Sequence, residues 1–193
     1  MADNKQTKTI GEHLVAAEIA RRGWAPALTR DGIERTDILA VHTGGERRMV
    51  EIQVKTARVT DWDRANWPLG LKNQVPSAHD REYYVFVGVP QDEDAAPRLF
   101  IVPRAHVAAA AWISHQDWRT EEGVPAGTRN AGPEMARVNM WVFENYENRW
   151  DLLFQDETDA DVLLPPRYRD LAAGERVGLP ADHRWQEGNL PNW

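Results

Sequence analysis

The chain has 193 residues, a formal net charge of −7 and no cysteine. This length suits one domain with a decorated C-terminus, and the lack of cysteine excludes disulfides, thiolate–metal sites and cysteine nucleophiles. The excess of acidic residues argues against a protein that coats nucleic acid over its whole surface, although it is compatible with a local basic groove.

The N-terminal stretch MADNKQTKTIGEHL contains no apolar run, so no signal peptide is expected. No uninterrupted apolar segment approaches the ~18 residues of a membrane span. The absence of cysteine also fits a reducing compartment. Together these features predict a cytoplasmic protein that does not associate with membranes.

The first part of the chain predicts a helix and three strands. The segment TKTIGEHLVAAEIARRGW has the pattern of a helix, with Thr7 or Thr9 as its N-cap and Gly23 at its end. A strand is expected to begin near Trp24. The segments TDILAVHT and RRMVEIQVKT then form a hairpin around the turn GGE.

The pattern of the chain after the hairpin predicts two more strands, EYYVFVGV and RLFIVPR. A second helix, AHVAAAAWISHQDW, is predicted to follow them. Residues 58–80 are predicted to form a long ordered loop, and VNMWVF is either a strand or a helix start. This order predicts an α/β or α+β fold with a mixed central sheet of about four to six strands flanked by helices. We assign residues 1–155 to that domain and residues 156–193 to an extended tail packed on the domain or on a partner.

One strand, RRMVEIQVKTA, has a row of polar side chains on a single face. Glu51, Gln53 and Lys55 alternate with apolar residues, so they follow one another at intervals of about 6.6 Å. Asp37 opens the partner strand of the hairpin, so a carboxylate, an amide and an amine can meet at one end of the sheet. Mg²⁺ prefers such hard oxygen ligands, and a lysine beside it can stabilise phosphate charge or help to deprotonate water. The alternative is that these are solvated surface charges.

The run GEHLVAAEIARRGW…RTDILAV…VEIQVKT, over roughly residues 8–57, resembles the PD-(D/E)XK nuclease superfamily. That superfamily includes archaeal Holliday-junction resolvases and restriction-endonuclease-like domains. The resemblance implies a restriction-endonuclease-like core and cleavage of DNA phosphodiester bonds that depends on Mg²⁺ or Mn²⁺. It assigns Asp37 to the metal-binding aspartate, Lys55 to the catalytic lysine, and Gln53 to a position usually held by Asp or Glu. Glu12 matches the helix glutamate of the resolvases by its spacing from Gly23.

The chain departs from the family pattern in the metal site. Thr36 replaces the usual proline, and Gln53 removes a negative charge, although an amide oxygen can still bind a hard cation. Glu51 is a candidate to compensate, which makes it a fourth predicted metal ligand. Glu18 is the alternative to Glu12, because the two lie about 120° apart around the helix and cannot both reach one metal. If Glu12 is the ligand, Glu18 is expected to be a core carboxylate satisfied by an arginine.

Several other residues are candidates for contact with DNA. Basic residues could rim the site and touch phosphates, and the ones assigned to this role are Arg30, Arg47, Arg58 and Lys72. Trp62 and Trp67 follow the lysine-bearing strand and are candidates either for stacking on unpaired bases or for packing in the core.

Three functions stay open at this point, of which the third, an acidic surface that mimics DNA or neutralises a basic toxin, rests on composition alone. The first is a metal-dependent DNA endonuclease without an organic cofactor, for which a homodimer that cuts both strands is left open. The second is a catalytically inactive nuclease-fold module that binds DNA or a protein partner. The missing carboxylate and the net charge of −7 favour the second.

Overall fold

The computed structural model of the protein describes residues 4–29, 34–186 and 190–193. Its α-helices are α1 (Asn4–Ala20), α2 (Leu71–Gln74), α3 (Arg104–Arg119) and α4 (Pro166–Ala173). Its strands are β1 (Trp24–Leu28), β2 (Ile38–His42), β3 (Met49–Val59), β4 (Asn66–Pro68), β5 (Glu82–Pro90), β6 (Arg98–Pro103) and β7 (Arg137–Asn139). Short 3-10 helices cover Pro133–Met135, Met140–Tyr146 and Trp150–Phe154. None of the helices in these ranges is both long enough and apolar enough to cross a membrane.

The chain divides into two compact units. The first unit comprises Met1–Trp62, Ala78–Pro103 and Tyr146–Ala160, and the second comprises Asp63–Ser77, Arg104–Asn145 and Asp161–Trp193. Each unit is therefore assembled from three separate stretches of the chain. The sequence-based boundary between residues 155 and 156 stays a prediction.

The first unit is built on a five-stranded sheet in the order β1-β2-β3-β5-β6. Strands β1, β2 and β3 are antiparallel neighbours, β5 runs parallel to β3, and β6 is antiparallel to β5. This mixed sheet, together with the helices, confirms the predicted α+β class and the predicted number of strands.

Helix α1 packs closely against β1 and β3. Its buried residues Gly11, Val15 and Ile19 recur every four positions, which is the spacing of one helix face. A Cβ atom on Gly11 would lie 1.8 Å from Thr56 Oγ1, so glycine is required for this approach. The same helix brings the polar side chain of Glu12, next to Gly11, alongside the sheet.

Two local predictions are wrong. Helix α1 already includes Asn4, so Thr7 and Thr9 lie inside the helix instead of capping its start. Residues 58–80 are not all loop, because this stretch contains β4 and α2. The segment VNMWVF, for which strand and helix were both open, contains the end of β7 and then a 3-10 helix.

The second unit combines α2, α3 and α4 with the two-stranded sheet of β4 and β7. Most of α3 is buried, including its first residue, Arg104. Residues near the C-terminus are tied into this unit: His183 Nε2 is 3.1 Å from Ala105 O, and Trp193 Nε1 donates to Leu164 O at 3.1 Å. Helix α4 also falls within residues 156–193, the segment predicted to be an extended tail.

Candidate active site

Asp37 occupies an irregular position just before β2. Its N–H donates to Ile52 O at 2.9 Å, although Ile38 is the residue that pairs with Ile52 in the ladder. Two consecutive residues thus oppose one residue of β3, which is the arrangement of a β-bulge and redirects the side chain located there. The Asp37 carboxylate then takes the place of a strand partner, because its Oδ2 accepts the N–H of Val54 at 2.8 Å.

Two of the predicted site residues, Asp37 and Gln53, are in contact at this bulge, and a third, Glu12, is linked to Asp37 through Lys8. Gln53 Nε2 donates to Asp37 Oδ2 at 2.5 Å. The second oxygen, Asp37 Oδ1, is 3.6 Å from Lys8 Nζ, and the same ammonium is 3.3 Å from Glu12 Oε1. The side chains of Asp37 and Glu12 are 12% and 21% exposed, so the pair is shielded but reachable from solvent. The cluster draws on α1, the start of β2 and the middle of β3.

The structure distinguishes the two candidate glutamates of α1. Glu12 shares Lys8 with Asp37. Glu18 instead forms ion pairs with Arg22 and with Arg21, whose Nε is 3.6 Å from Glu18 Oε2. Glu18 is therefore the carboxylate satisfied by arginines, and Glu12 is the one that lies at the site.

Lys55 and Glu51 flank Gln53 along β3. The alternation of the strand puts all three side chains on one face, with Lys55 partly exposed. Glu51 Oε2 accepts a hydrogen bond from Thr36 Oγ1 at 2.6 Å, and Glu51 Oε1 is 3.0 Å from His79 Nε2. Burial alone would raise the pKa of Glu51, but the hydrogen bonds from Thr36 and His79 outweigh burial and lower it. Glu51 is thus an ionised group held by partners other than those of Asp37.

His79 was not identified from the sequence. The backbone N–H of Arg81 donates to His79 Nδ1 at 3.2 Å, so the ring proton resides on Nε2 and is donated to Glu51. A cavity of about 450 Å³ opens beside this pair. Nothing in the sequence pattern links His79 to a strand that lies 28 residues earlier. Lys8, by contrast, could have been found from its i,i+4 spacing to Glu12.

Two of the basic residues assigned to DNA contact, Arg47 and Arg58, lie away from Gln53 within the first unit. Arg47 lies in the β2–β3 turn, six residues and so about 20 Å along the strand from Gln53. Arg58 is exposed on β3, but alternation puts it on the opposite face from Gln53. Lys72 belongs to α2 in the second unit, and Arg30 lies outside the described residues. Their role in binding DNA stays a prediction.

The two tryptophans after β3 differ in exposure. Trp67 is 1% exposed and therefore belongs to the core, which decides between its two alternatives in favour of packing. Trp62 is partly exposed, and the guanidinium of Arg98 lies 5.1 Å from its ring centroid.

The donor set at the bulge can hold a divalent cation only after two local changes. In the part of the chain that the structure describes, no group of three or more His, Cys, Asp or Glu residues is arranged to hold a metal ion. The available donors are the carboxylates of Asp37 and Glu12 and the amide oxygen of Gln53, which are acceptable hard ligands. Lys8 would have to withdraw, and Gln53 would have to rotate its amide so that oxygen replaces nitrogen beside Asp37.

Asp37 and Gln53 are thus in contact, and Glu12 is joined to Asp37 through the ammonium of Lys8. Lys55 lies one step along the same strand face as Gln53, and Glu51 belongs to a neighbouring cluster. Comparison of the chain with models of known families, with curated proteins and with solved structures found no match. The function proposed below consequently rests on side-chain geometry and on the motif resemblance.

Proposed function

We propose that the protein is a nuclease that hydrolyses phosphodiester bonds in DNA with the help of Mg²⁺ or Mn²⁺. The observation that supports it is the contact of Asp37 with Gln53 next to Glu12. These residues come from three separate elements and were selected beforehand by their resemblance to the PD-(D/E)XK pattern. A cytoplasmic location belongs to the same proposal.

Each residue has a role in this proposal. Asp37 Oδ1, Glu12 and a rotated Gln53 would hold the cation, which, when bound, polarises the scissile phosphate and makes a coordinated water more acidic. Lys55 would place its ammonium near the phosphate, where it neutralises developing negative charge and orients the attacking water. Asp37 Oδ2 would continue to fix the position of β3 through the Val54 N–H.

The position of Lys8 favours a second candidate function, the inactive module that binds DNA or a protein partner. Its ammonium lies between the carboxylates of Glu12 and Asp37, where it balances the charge that would attract a cation. Asp37 Oδ2 is meanwhile occupied by two N–H donors. In an inactive module this internal ion pair would take the place of the metal.

Cleavage of DNA tests the first candidate. Purified protein with Mg²⁺ or Mn²⁺ is expected to cut single-stranded, duplex or branched DNA, and EDTA is expected to abolish the reaction. Lys55→Ala and Glu12→Gln should each lower the cleavage rate at least about 100-fold, because each removes a group that stabilises charge in the transition state or holds the cation. Glu18→Gln is the matched control on the same helix and should retain the rate of the unsubstituted protein. Cleavage by Lys55→Ala at the unsubstituted rate would contradict the proposal.

Metal binding by Lys8→Met separates the two candidates. The substitution removes an ammonium that competes for the same carboxylates, and since Lys8 is 55% exposed the screened repulsion is worth about 1 kcal/mol. Mn²⁺ is therefore expected to bind Lys8→Met about fivefold more tightly than the unsubstituted protein in a calorimetric titration. Lys5→Met, one turn earlier on α1, is the control, and its affinity for Mn²⁺ should differ little from that of the unsubstituted protein. If neither the unsubstituted protein nor Lys8→Met binds Mn²⁺, the inactive module is the correct assignment.

A further inference from the structure

The second unit contains a cavity of about 540 Å³ that has no part in the site described above. Residues of α3, β7, α4 and the loops between them line it. Three large apolar side chains in its lining are exposed to solvent: Trp118 is 43% exposed, Met135 59% and Trp141 42%. A cavity of this size accommodates a small ligand or one unit of a polymer, and the two exposed indoles offer flat surfaces to a planar group.

Arginine side chains stack on the aromatic rings of this cavity. The guanidinium of Arg167 lies 5.1 Å from the Trp141 ring centroid and 5.6 Å from that of Tyr168. The Tyr168 hydroxyl is hydrogen-bonded to Ser114 Oγ at 2.8 Å, which fixes the ring. A guanidinium that lies over an aromatic ring still has N–H groups that can pair with phosphate oxygens.

The acidic residues of the cavity are already neutralised. Asp117 forms an ion pair with Arg176 at 2.5 Å, and Glu121 forms one with Arg129 at 2.7 Å. The guanidinium of Arg129 also lies 5.1 Å from the ring centroid of the exposed Trp118. These two carboxylates therefore do not cancel the charge of the remaining arginines.

Arg137 and Arg167 are the two arginines of the lining itself. Arg137 donates to the neutral side chain of Asn66 at 2.9 Å. Over residues 4–29, 34–186 and 190–193, neither arginine has an acidic side chain within ion-pair distance. Two such cations beside exposed indoles complement a ligand that joins a planar aromatic group to an anion.

We propose that this cavity binds a nucleotide, with the base stacked on Trp141 and the phosphate paired with Arg137 and Arg167. The nucleotide is either one unit of an unpaired DNA strand or a free mononucleotide. The proposal deepens the proposed function and rests on it for the choice of nucleic acid as the ligand. Duplex DNA keeps its bases stacked on one another, so the cavity selects unpaired nucleotides.

Binding of a fluorescently labelled (dT)12, followed by anisotropy in EDTA so that no metal-dependent cleavage occurs, tests the proposal. Trp141→Ala is expected to weaken binding roughly 5- to 150-fold, the usual effect of losing one stacking surface. Arg167→Gln should also weaken it and lower the slope of log affinity against log salt by about 0.7. Two control variants should bind (dT)12 with an affinity within about twofold of that of the unsubstituted protein, as expected for changes outside the site. They are Leu71→Ala, an exposed apolar residue of the same unit, and Arg169→Gln, two residues after Arg167 on α4.

Unlabelled competitors identify the source of the ligand. Displacement of the label by (dT)12 but not by duplex DNA supports a single-strand site, and displacement by dTMP at similar concentration supports a mononucleotide site. Binding that is unchanged in Trp141→Ala overturns the proposal. The proposal is also overturned if a proline-rich peptide displaces the label and no nucleotide does. Failure of the unsubstituted protein to bind (dT)12 or dTMP overturns it as well.

The two proposals fail separately. Metal-dependent cleavage of DNA without binding of (dT)12 or dTMP in EDTA would overturn the nucleotide cavity and leave the nuclease intact. Binding of (dT)12 that depends on Trp141, without cleavage of any DNA, would overturn the nuclease and leave the cavity as the nucleic-acid site of an inactive module.

Discussion

Lowering the pH from 7 to 5 is expected to reduce the free energy of unfolding by about 2 kcal/mol through His106 alone. His106 is fully buried in α3 of the second unit. Burial, with a smaller contribution from nearby His183, lowers the pKa of His106 from 6.5 to about 3. Below pH 6.5 the unfolded chain therefore binds a proton that the folded chain rejects, and stability falls as the pH falls until the folded-state pKa is reached. The full loss would amount to about 5 kcal/mol.

His183 acts in the same direction. Its Nδ1 accepts the N–H of Trp185 at 3.2 Å, so the ring proton lies on Nε2, which is 3.1 Å from Ala105 O. Burial lowers the pKa of His183, although the bond to Ala105 opposes this. The neutral form of His183 is thus part of the attachment of the C-terminal segment to α3, and acid should weaken that attachment.

Urea unfolding at pH 7, 6 and 5, followed by circular dichroism, measures this dependence. His106→Leu should show a clearly flatter decline in stability with falling pH than the unsubstituted protein, whatever its stability at pH 7. His13→Gln, which replaces an exposed histidine of α1, is the control for the loss of a histidine as such. Carboxylates contribute mainly below this range of pH. Equal slopes for His106→Leu and the unsubstituted protein would show that His106 is not the responsible group.

Replacement of Arg104 by methionine is expected to destabilise the protein by about 2–5 kcal/mol. Arg104 is 1% exposed, and its guanidinium donates to two backbone carbonyls, Val75 O at 3.2 Å and Lys72 O at 2.9 Å. These oxygens belong to the end of α2, which is only four residues long and has few bonds of its own. Methionine fills a similar apolar volume but has no donor, so it would leave both carbonyls unsatisfied inside the second unit.

The midpoint and slope of urea unfolding at pH 7 give the size of this effect. Arg104→Lys retains one charge but lacks the planar fork that reaches both carbonyls, so its stability should lie between those of Arg104→Met and the unsubstituted protein. Arg119→Met, at the exposed opposite end of α3, is the matched control and should change stability by less than about 0.5 kcal/mol. A loss below 1 kcal/mol in Arg104→Met would mean that water replaces the guanidinium at these carbonyls.

The features that the sequence predicted well are those set by local periodicity. The alternation of Val50, Ile52 and Val54 with polar residues was sufficient to place Gln53 and Lys55 on one strand face, and the turn after β2 gave the hairpin. Helix geometry likewise indicated that Glu12 and Glu18 cannot both reach one site, and the two have different partners. In each case neighbours within a few residues determine the geometry.

The features that were missed depend on contacts between distant parts of the chain. The bulge at Asp37 arises from its pairing with β3, and the partners of Arg104 lie 29 and 32 residues away. A buried arginine at the start of a helix also goes against the preference of helix N-termini for acidic residues, so local rules could not anticipate it. Local rules likewise left stacking and packing both open for Trp67, whose pairing partner on β7 is Val138.

The bulge before β2 affects which residues can indicate catalytic activity in related sequences. One oxygen of Asp37 completes the hydrogen bonding of β3 whether or not any chemistry takes place, so architecture alone is a reason to retain an aspartate there. A descendant that had lost catalysis would still be expected to keep this residue. The proposed function gives charge stabilisation to Lys55 and metal binding to Glu12, so the presence of both would be the better marker of an active nuclease.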